Sequence, residues 1–308
     1  MNAEDYPRTV LEFEERFASE EACRKYLYEL RWPEGFRCPH CGGGRTWKTK
    51  RGLYRCSRCD VQISLTAGTI FQDTHRPLRL WFRALWYVTN QKHGVSALGL
   101  QRALGLGSYR TAWTWLHKLR RAMVRPGRDR LSGTVEVDET YVGGEKPGKR
   151  GRGAAGKALV LIVVEDKGVE GIGRIRLQRV ANASMHSLTA AVQATVTAGS
   201  TVRTDDWGGY GSLHSVGYAH IVVREGGEPG ESPLPLVHRV ASLLKRWLLG
   251  THQGAVRASH LDYYLDEYTF RFNRRTSRSR GKLFYRLVQQ AAAIAPVTGQ
   301  DIRGGTVL

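Results

Sequence analysis

The chain is short of acid. Its 308 residues hold 47 lysines and arginines against 28 aspartates and glutamates, a formal net charge of +19. The isoelectric point is about 10.1. That imbalance points to a polyanionic partner, nucleic acid before a membrane surface. Long apolar runs are also missing. None approaches the roughly 20 residues that a bilayer span needs, so no membrane partner is expected. The opening Met1-Asn2-Ala3-Glu4-Asp5-Tyr6-Pro7 has neither the basic nor the apolar region of a signal peptide, which predicts an intracellular protein. Cysteine is scarce, at five residues. Disulfides are rare in that compartment, so the cysteine spacing must be read for other chemistry. No internal repeat is visible, and the length allows two or three domains with a real core.

Four of the five cysteines form two pairs, Cys38-Pro39-His40-Cys41 and Cys56-Ser57-Arg58-Cys59. Two Cys-x-x-Cys knuckles at this separation offer four soft thiolates to a tetrahedral Zn²⁺, which reads as a zinc ribbon. So small a module has little core, and metal binding should supply its folding energy. Lys48, Lys50, Arg51, Arg55 and Arg58 could reach phosphates, or the ribbon could be a docking module. His40 is not needed as a fifth ligand. Cys23, alone among Phe13, Phe17, Tyr26, Leu27 and Leu30 at helical spacing, reads as a core residue in one of two short helices.

Beyond the ribbon, Leu65 to Phe71 reads as a strand and turn, and a helical apolar stripe starts near Pro77. Two short helices follow, one capped near Ser96 and one from Ser108 to Arg121, separated by Gly105-Leu106-Gly107. The second is basic. The pair resembles a helix-turn-helix that would present Ser108, Tyr109, Arg110 and Thr114 to a DNA major groove.

Gly133 to Gly144 then alternates β-branched and polar residues as a strand does. Val135 and Val137 share one face, and Glu136 and Asp138 the other. Carboxylates carried on such a strand suit a hard cation such as Mg²⁺ or Mn²⁺. Glu136 shares the Asp138 face and receives no role. Residues 145–157 are Gly-rich and basic, and Lys149, Arg150 and Arg152 could grip a phosphate backbone. Strands are expected at 158–164 and 172–178, a helix at 187–196, strands at 200–205 and 219–223, and helices at 236–249 and 260–274. A β-β-β-α-β-α-β-α order with acids at the ends of strands one and four looks like a mixed α/β, RNase H-like core.

The combined motifs resemble insertion-sequence transposases that join an N-terminal zinc ribbon to a DDE-type integrase core. The resemblance rests on the two cysteine pairs, Thr66-Ala67-Gly68-Thr69-Ile70-Phe71, Val137-Asp138-Glu139-Thr140-Tyr141-Val142-Gly143-Gly144 and Thr204-Asp205-Asp206-Trp207-Gly208-Gly209-Tyr210. It continues through Ser242-Leu243-Leu244-Lys245-Arg246 to Arg271-Phe272-Asn273-Arg274-Arg275. By that resemblance Asp138 and Asp205 are the first two metal-binding acids. The third position departs from the pattern. The family places Glu, or in some members Asn, seven residues before a basic residue, and seven before Lys245 stands His238. From Ser232 through Leu261 there is no Asp, Glu or Asn. Three readings stay open: His238 completes an Asp-Asp-His site, Glu231 or a mobile acid substitutes, or the copy is catalytically weakened. A neutral imidazole can ligate such ions, although it adds no charge. Lys245 is expected to meet a phosphate as a point charge.

The resemblance implies a cytoplasmic, nucleoid-associated enzyme that cuts transposon terminal repeats, joins them to target DNA, and acts as a homodimer or higher on DNA. A non-catalytic DNA-binding copy is the alternative, and an RNase H-type nuclease a third possibility. The expected layout is a helical segment (1–30), a zinc ribbon (31–72), a helix-turn-helix region (73–126), the catalytic domain (131–290) and a fraying tail (291–308). Basic residues crowd the end of the chain. Arg271, Arg274 and Arg275 lead a run interleaved with aromatics that reads as a phosphate track.

Overall fold

The computed structural model describes residues 4–125, 127–143, 157–224, 232–254 and 256–304. In chain order its elements begin with helices α1 (Val10–Arg16) and α2 (Glu20–Arg31) and strands β1 (Thr46–Lys48), β2 (Tyr54–Cys56) and β3 (Gln62–Ile63). Helices α3 (Leu78–Asn90), α4 (Ala97–Leu104) and α5 (Tyr109–Ala122) follow. Next come strands β4 (Thr134–Val142), β5 (Ala158–Asp166) and β6 (Ile172–Val180), helix α6 (Met185–Thr195), and strands β7 (Thr201–Thr204) and β8 (Ala219–Val222). The last are helices α7 (Pro235–His252), α8 (Leu261–Phe272), α9 (Arg280–Ala293) and α10 (Gly299–Gly304). The chain divides into two compact units, one from the described residues of Met1–Pro126 and Ser277–Gly304, the other from those of Gly127–Thr276.

In the first unit, capping fixes the helix starts. Thr9, Ser19 and Ser96 accept the backbone N–H groups of Glu12, Ala22 and Gly99 at the starts of α1, α2 and α4. Gly105, left-handed at φ 62°, ends α4, and the N–H of Leu106 returns to the Gln101 carbonyl. Leu106 is buried and pins the turn to α5. Trp81 of α3 stacks on Trp115 of α5 at 3.7 Å between ring centroids. Of the strand and turn predicted at Leu65–Phe71, only turns form. The Arg31 guanidinium explains this, since it donates to the carbonyls of Ser64, Leu65 and Ala67 and so gathers groups that a strand would splay.

The end of the chain departs further from expectation. Helix α9, expected within the 131–290 domain, lies in the first unit. Phe284 is fully buried, its ring 5.4 Å from Phe13, 5.6 Å from Phe17, and 5.7 Å from both Phe82 and Trp86. Beyond it the predicted fraying tail forms α10, which packs on α5 with Ile302 buried.

The second unit is built on a five-stranded sheet in the order β6-β5-β4-β7-β8. β4, β5 and β6 are antiparallel neighbours, whereas β7 runs parallel to β4 and β8 parallel to β7. This mixed α/β sheet, with its first strand at the centre, is the RNase H-like arrangement. Period-2 alternation divides the strands between two cores. Val135, Val137, Leu161 and Val163 pack with Leu188 and Val192 of α6. Val160, Ile162, Ile175 and Leu177 pack on the other face with Val237, Val240 and Leu244 of α7 and Leu265 and Tyr268 of α8.

Truncating Phe284 should therefore damage the first unit. Phe284→Ala is expected to destabilise it by about 3–5 kcal/mol, the range for emptying a buried aromatic site. A fall in the urea midpoint followed by tryptophan fluorescence would show this; an unchanged midpoint would contradict the packing.

Candidate active site and zinc centre

The ribbon brings its four cysteines together. The sulfurs of Cys38, Cys41, Cys56 and Cys59 all lie within 4.8 Å of one another. The Cys38–Cys59 and Cys41–Cys56 separations are 3.6 Å, close to the roughly 3.8 Å edge of a tetrahedron with zinc–sulfur bonds of about 2.3 Å. The two knuckles are alike. After each second cysteine a left-handed residue turns the chain, Gly42 at φ 71° and Asp60 at φ 64°. The donor set fits a structural Zn²⁺, and the N–H of Arg58 points at the Cys56 sulfur from 3.4 Å, which favours thiolate there.

In the second unit the acids sit where β4 and β7 end. Thr134 pairs with Thr201, Val135 with Val202 and Glu136 with Arg203. The interval in sequence from Thr134 to Thr201 is the same as that from Asp138 to Asp205. Continued two residues past the last pair, that register would bring the two aspartates to the same end of neighbouring strands, and the charge of Asp205 does act on Asp138. Asp138 Oδ1 accepts the N–H of Glu139 at 2.7 Å, and Asp205 Oδ1 accepts that of Trp207 at 3.2 Å. Burial holds the Asp138 carboxyl above the usual carboxylate value, and the negative charge of Asp205 adds to the rise; the Glu139 N–H and His238 oppose it. The turn after Asp205 leaves no room at Gly209, where a Cβ would stand 2.7 Å from the Ala183 carbonyl and 2.8 Å from Leu188.

Helix α7 brings His238 to this place. His238 Nε2 is 3.1 Å from Asp138 Oδ2, and its Nδ1 is 2.5 Å from Ser232 Oγ. In this hydrogen bond Nε2–H donates to the Asp138 carboxylate and Nδ1 accepts from the Ser232 hydroxyl; the other tautomer, with Nδ1–H to Ser232, would free the Nε2 lone pair for a metal. Lys245 follows two turns on, about 10 Å along the helix. An open cavity of about 940 Å³ is lined by Asp138, Thr140, His238, Ser242, Lys245 and Arg246, among others. Asp138, His238 and Lys245 thus share one cavity wall, and Asp205 adjoins Asp138 through the strand register. Among the described residues, the ribbon cysteines are the one group of three or more such ligand side chains gathered closely enough to hold a metal ion.

Neighbouring acids have other work. Glu139 faces away from the cavity and accepts the hydroxyl proton of buried Tyr210 at 2.6 Å. Asp206 makes an exposed pair with Arg224 at 3.0 Å. Glu136, to which the sequence assigned nothing, is fully buried; its Oε2 accepts the N–H groups of Leu236 (2.8 Å) and Val237 (3.0 Å) at the start of α7. Its alternation with Asp138 was the available signal. Arg246 is likewise a cavity residue that sequence reasoning missed.

The predicted DNA contacts fare unevenly. Ser108, Tyr109 and Arg110 are exposed at the start of α5, but Thr114 is half-buried, with α10 covering it at Gly299. Arg271, Arg274 and Arg275 were expected to track phosphates; each makes contacts within its own unit, and Arg275 stays exposed. Arg271 forms a largely buried pair with Glu267 at 2.7 Å. Arg274 lies 4.1 Å over the Phe270 ring and bonds the Phe270 carbonyl. Arg275 donates to the carbonyls of Ile172 and Gly173 and so ties the end of α8 to the start of β6. Such interleaved arginines and aromatics stack on each other as readily as on nucleotides. Lys149, Arg150, Arg152 and Glu231 lie outside the described residues.

Comparison with known proteins agrees with both modules. Residues 130–273 match the ISXO2-like transposase domain, and residues 18–62 the transposase zinc-ribbon domain. The chain is 28% identical over 300 residues to an uncharacterized protein in transposable element ISH50 of Halobacterium salinarum, covering 90% of this chain and 98% of that protein. Among solved structures it is similar to the catalytic core domain of BIV integrase at 15% identity, with a TM-score of 0.30 over 44% of this chain and 82% of that one. It is also similar to a chain of the simian T-cell lymphotropic virus intasome in complex with the PP2A regulatory subunit B56 gamma, at 13% identity and a TM-score of 0.32. That match covers 65% of this chain and 74% of that one. No helix among the described residues is long and apolar enough to cross a membrane.

The purified chain is expected to carry about one zinc held by four thiolates. Cys56→Ser should drop the bound zinc to near zero in a metal-release assay and expose the ribbon to proteolysis, because the metal supplies most of its folding energy. Full retention of zinc in that variant would remove Cys56 from the site.

Proposed function

We infer that this chain, whose two modules belong to the transposase zinc-ribbon and ISXO2-like transposase families, cuts the terminal repeats of an insertion sequence and joins them to target DNA. The observation that carries this reading is the shared register of β4 and β7, which sets Asp138 beside Asp205, with His238 held against Asp138 over an open cavity. Mg²⁺ or Mn²⁺ bound there would supply the Lewis acidity that activates a water or a DNA 3′-hydroxyl and relieves charge on the leaving oxygen.

The side chains have separate tasks. Asp138, on the central strand, offers oxygens to both sides of the site. Asp205 supplies the second carboxylate, and His238 the neutral donor in place of the family's Glu or Asn. The imidazole leaves the site one negative charge poorer and favours borderline ions, Mn²⁺ above Mg²⁺. Lys245 and Arg246 hold flanking phosphates along the groove of α7, where cations of fixed position orient the scissile bond. Ser108, Tyr109 and Arg110 form the DNA-reading end of α5. Joining two transposon ends calls for at least two copies on DNA, acting in the cytoplasm at the nucleoid.

Asp138→Ala and Asp205→Ala are each expected to lower metal-dependent nicking of terminal-repeat DNA by about 10³-fold or more. The metal's stabilisation of the transition state is lost, and every loss of about 1.4 kcal/mol there is tenfold in rate. DNA binding should persist. His238→Ala should cost about 10–100-fold, while His238→Glu should retain nicking and shift its preference toward Mg²⁺. Nicking that survives both aspartate changes would sink the assignment, and a non-catalytic DNA-binding copy would remain.

A further inference from the structure

Glu136 is a buried carboxylate in the middle of the second unit, with no apolar reason to be there. Its side chain is 1% exposed. Burying a charge is costly unless partners repay it, and the partners are informative. Oε2 accepts the N–H groups of Leu236 and Val237. Helix α7 begins with Pro235 at its first turn and Leu234 at its cap position, and no side chain caps it locally. Leu234 has no polar side-chain atom and Pro235 has no N–H, so the first free donors of α7 find their acceptor about a hundred residues back, on β4. The positive end of the helix dipole adds to the attraction. Glu136 Oε1 faces Arg203 of β7 at 3.7 Å, and Arg203 also reaches Asp166 of β5 at 3.5 Å.

Each of these contacts lands next to a proposed site residue. Glu136 stands two before Asp138 on the same face of β4. Val237 immediately precedes His238, and Arg203 stands two before Asp205. We propose that Glu136 is the positioning residue of the active site: one buried carboxylate joins the strand of Asp138, the helix of His238 and the strand of Asp205, and fixes the three metal-ligand positions relative to one another. The proposal rests on the transposase reading of this site and adds to it a residue that touches neither metal nor DNA. The geometry also explains a cap set so far away in sequence. A local Ser or Asp before α7 would satisfy the same N–H groups, but it would leave the helix free to shift against β4.

The test uses the full-length chain with Glu136→Gln, Glu136→Met and Arg203→Met, beside Asp138→Ala as reference. Displacement of a ligand-bearing element by about 1 Å costs on the order of 100-fold in rate. Glu136→Met is expected to lose about that much nicking and to raise the Mn²⁺ concentration for half-maximal nicking. Glu136→Gln, which keeps an acceptor but no charge, should fall between it and the parent. Arg203→Met should change the Mn²⁺ requirement in the same direction. Hydrogen exchange supplies a readout independent of activity: the Leu236 and Val237 amides should exchange at least tenfold faster in Glu136→Met, with terminal-repeat binding and ribbon zinc unchanged. A merely structural role would lower the folded fraction and leave the Mn²⁺ requirement of the folded protein where it was. That result, or parent-like exchange and nicking in the Glu136 variants, overturns the proposal. Should Glu136→Met fail to fold, Glu136→Gln and Arg203→Met decide by the same criteria. If Asp138→Ala nicks like the parent, the active-site reading itself falls. If Asp138→Ala is inactive and both Glu136 variants behave as the parent, only the role of Glu136 falls.

Discussion

Parallel pairing between β4 and β7 is the constraint on which the second unit depends. Parallel strands need a long crossover, and here it is supplied by β5, β6 and α6. The crossover brings a distant downstream segment into lateral register, so that equal positions on the two strands share an end of the sheet. Carboxylates at that end would repel each other if nothing were bound between them. Burial chiefly raises Asp138, and the charge of Asp205 adds a smaller share. The fold thus places an electrostatic penalty at one point, and the divalent ion proposed for the site would relieve it.

Much of this was legible in the sequence because the signals were periodic or spaced by covalent logic. The alternation from Thr134 to Val142 put Asp138 on the face opposite Val135 and Val137, which is the face that α7 covers, and the seven-residue spacing put His238 and Lys245 on one side of that helix. The cysteine pairs needed only their spacing. What stayed hidden was pairing at long range. Nothing local says that Glu136 caps a helix a hundred residues later, or that Arg31 would gather the carbonyls of Ser64, Leu65 and Ala67 into turns. Composition left out the intramolecular partners of Arg271, Arg274 and Arg275. A cation beside an aromatic ring reads the same whether it serves a nucleotide or its own fold, and only the position of Glu267, Phe270 and the start of β6 separates the two.

The first unit has a different source of order. Its ribbon depends on four sulfurs and its helices on a cluster of aromatic rings around Phe284. The core of the helical part is therefore completed by a residue from the far end of the chain, with the whole second unit threaded between its two segments.

That threading has a consequence for the order of events during synthesis. A ribosome delivers the amino end first, yet α1, α2 and α3 lack the ring that fills their centre until α9 has been translated. The zinc knuckles, whose ligands all lie between Cys38 and Cys59, can close early. The helices around them must wait with their aromatic faces open while the later sheet is made. A nascent chain stopped anywhere between Cys59 and Phe284 would carry a complete metal site on an unfinished helical body.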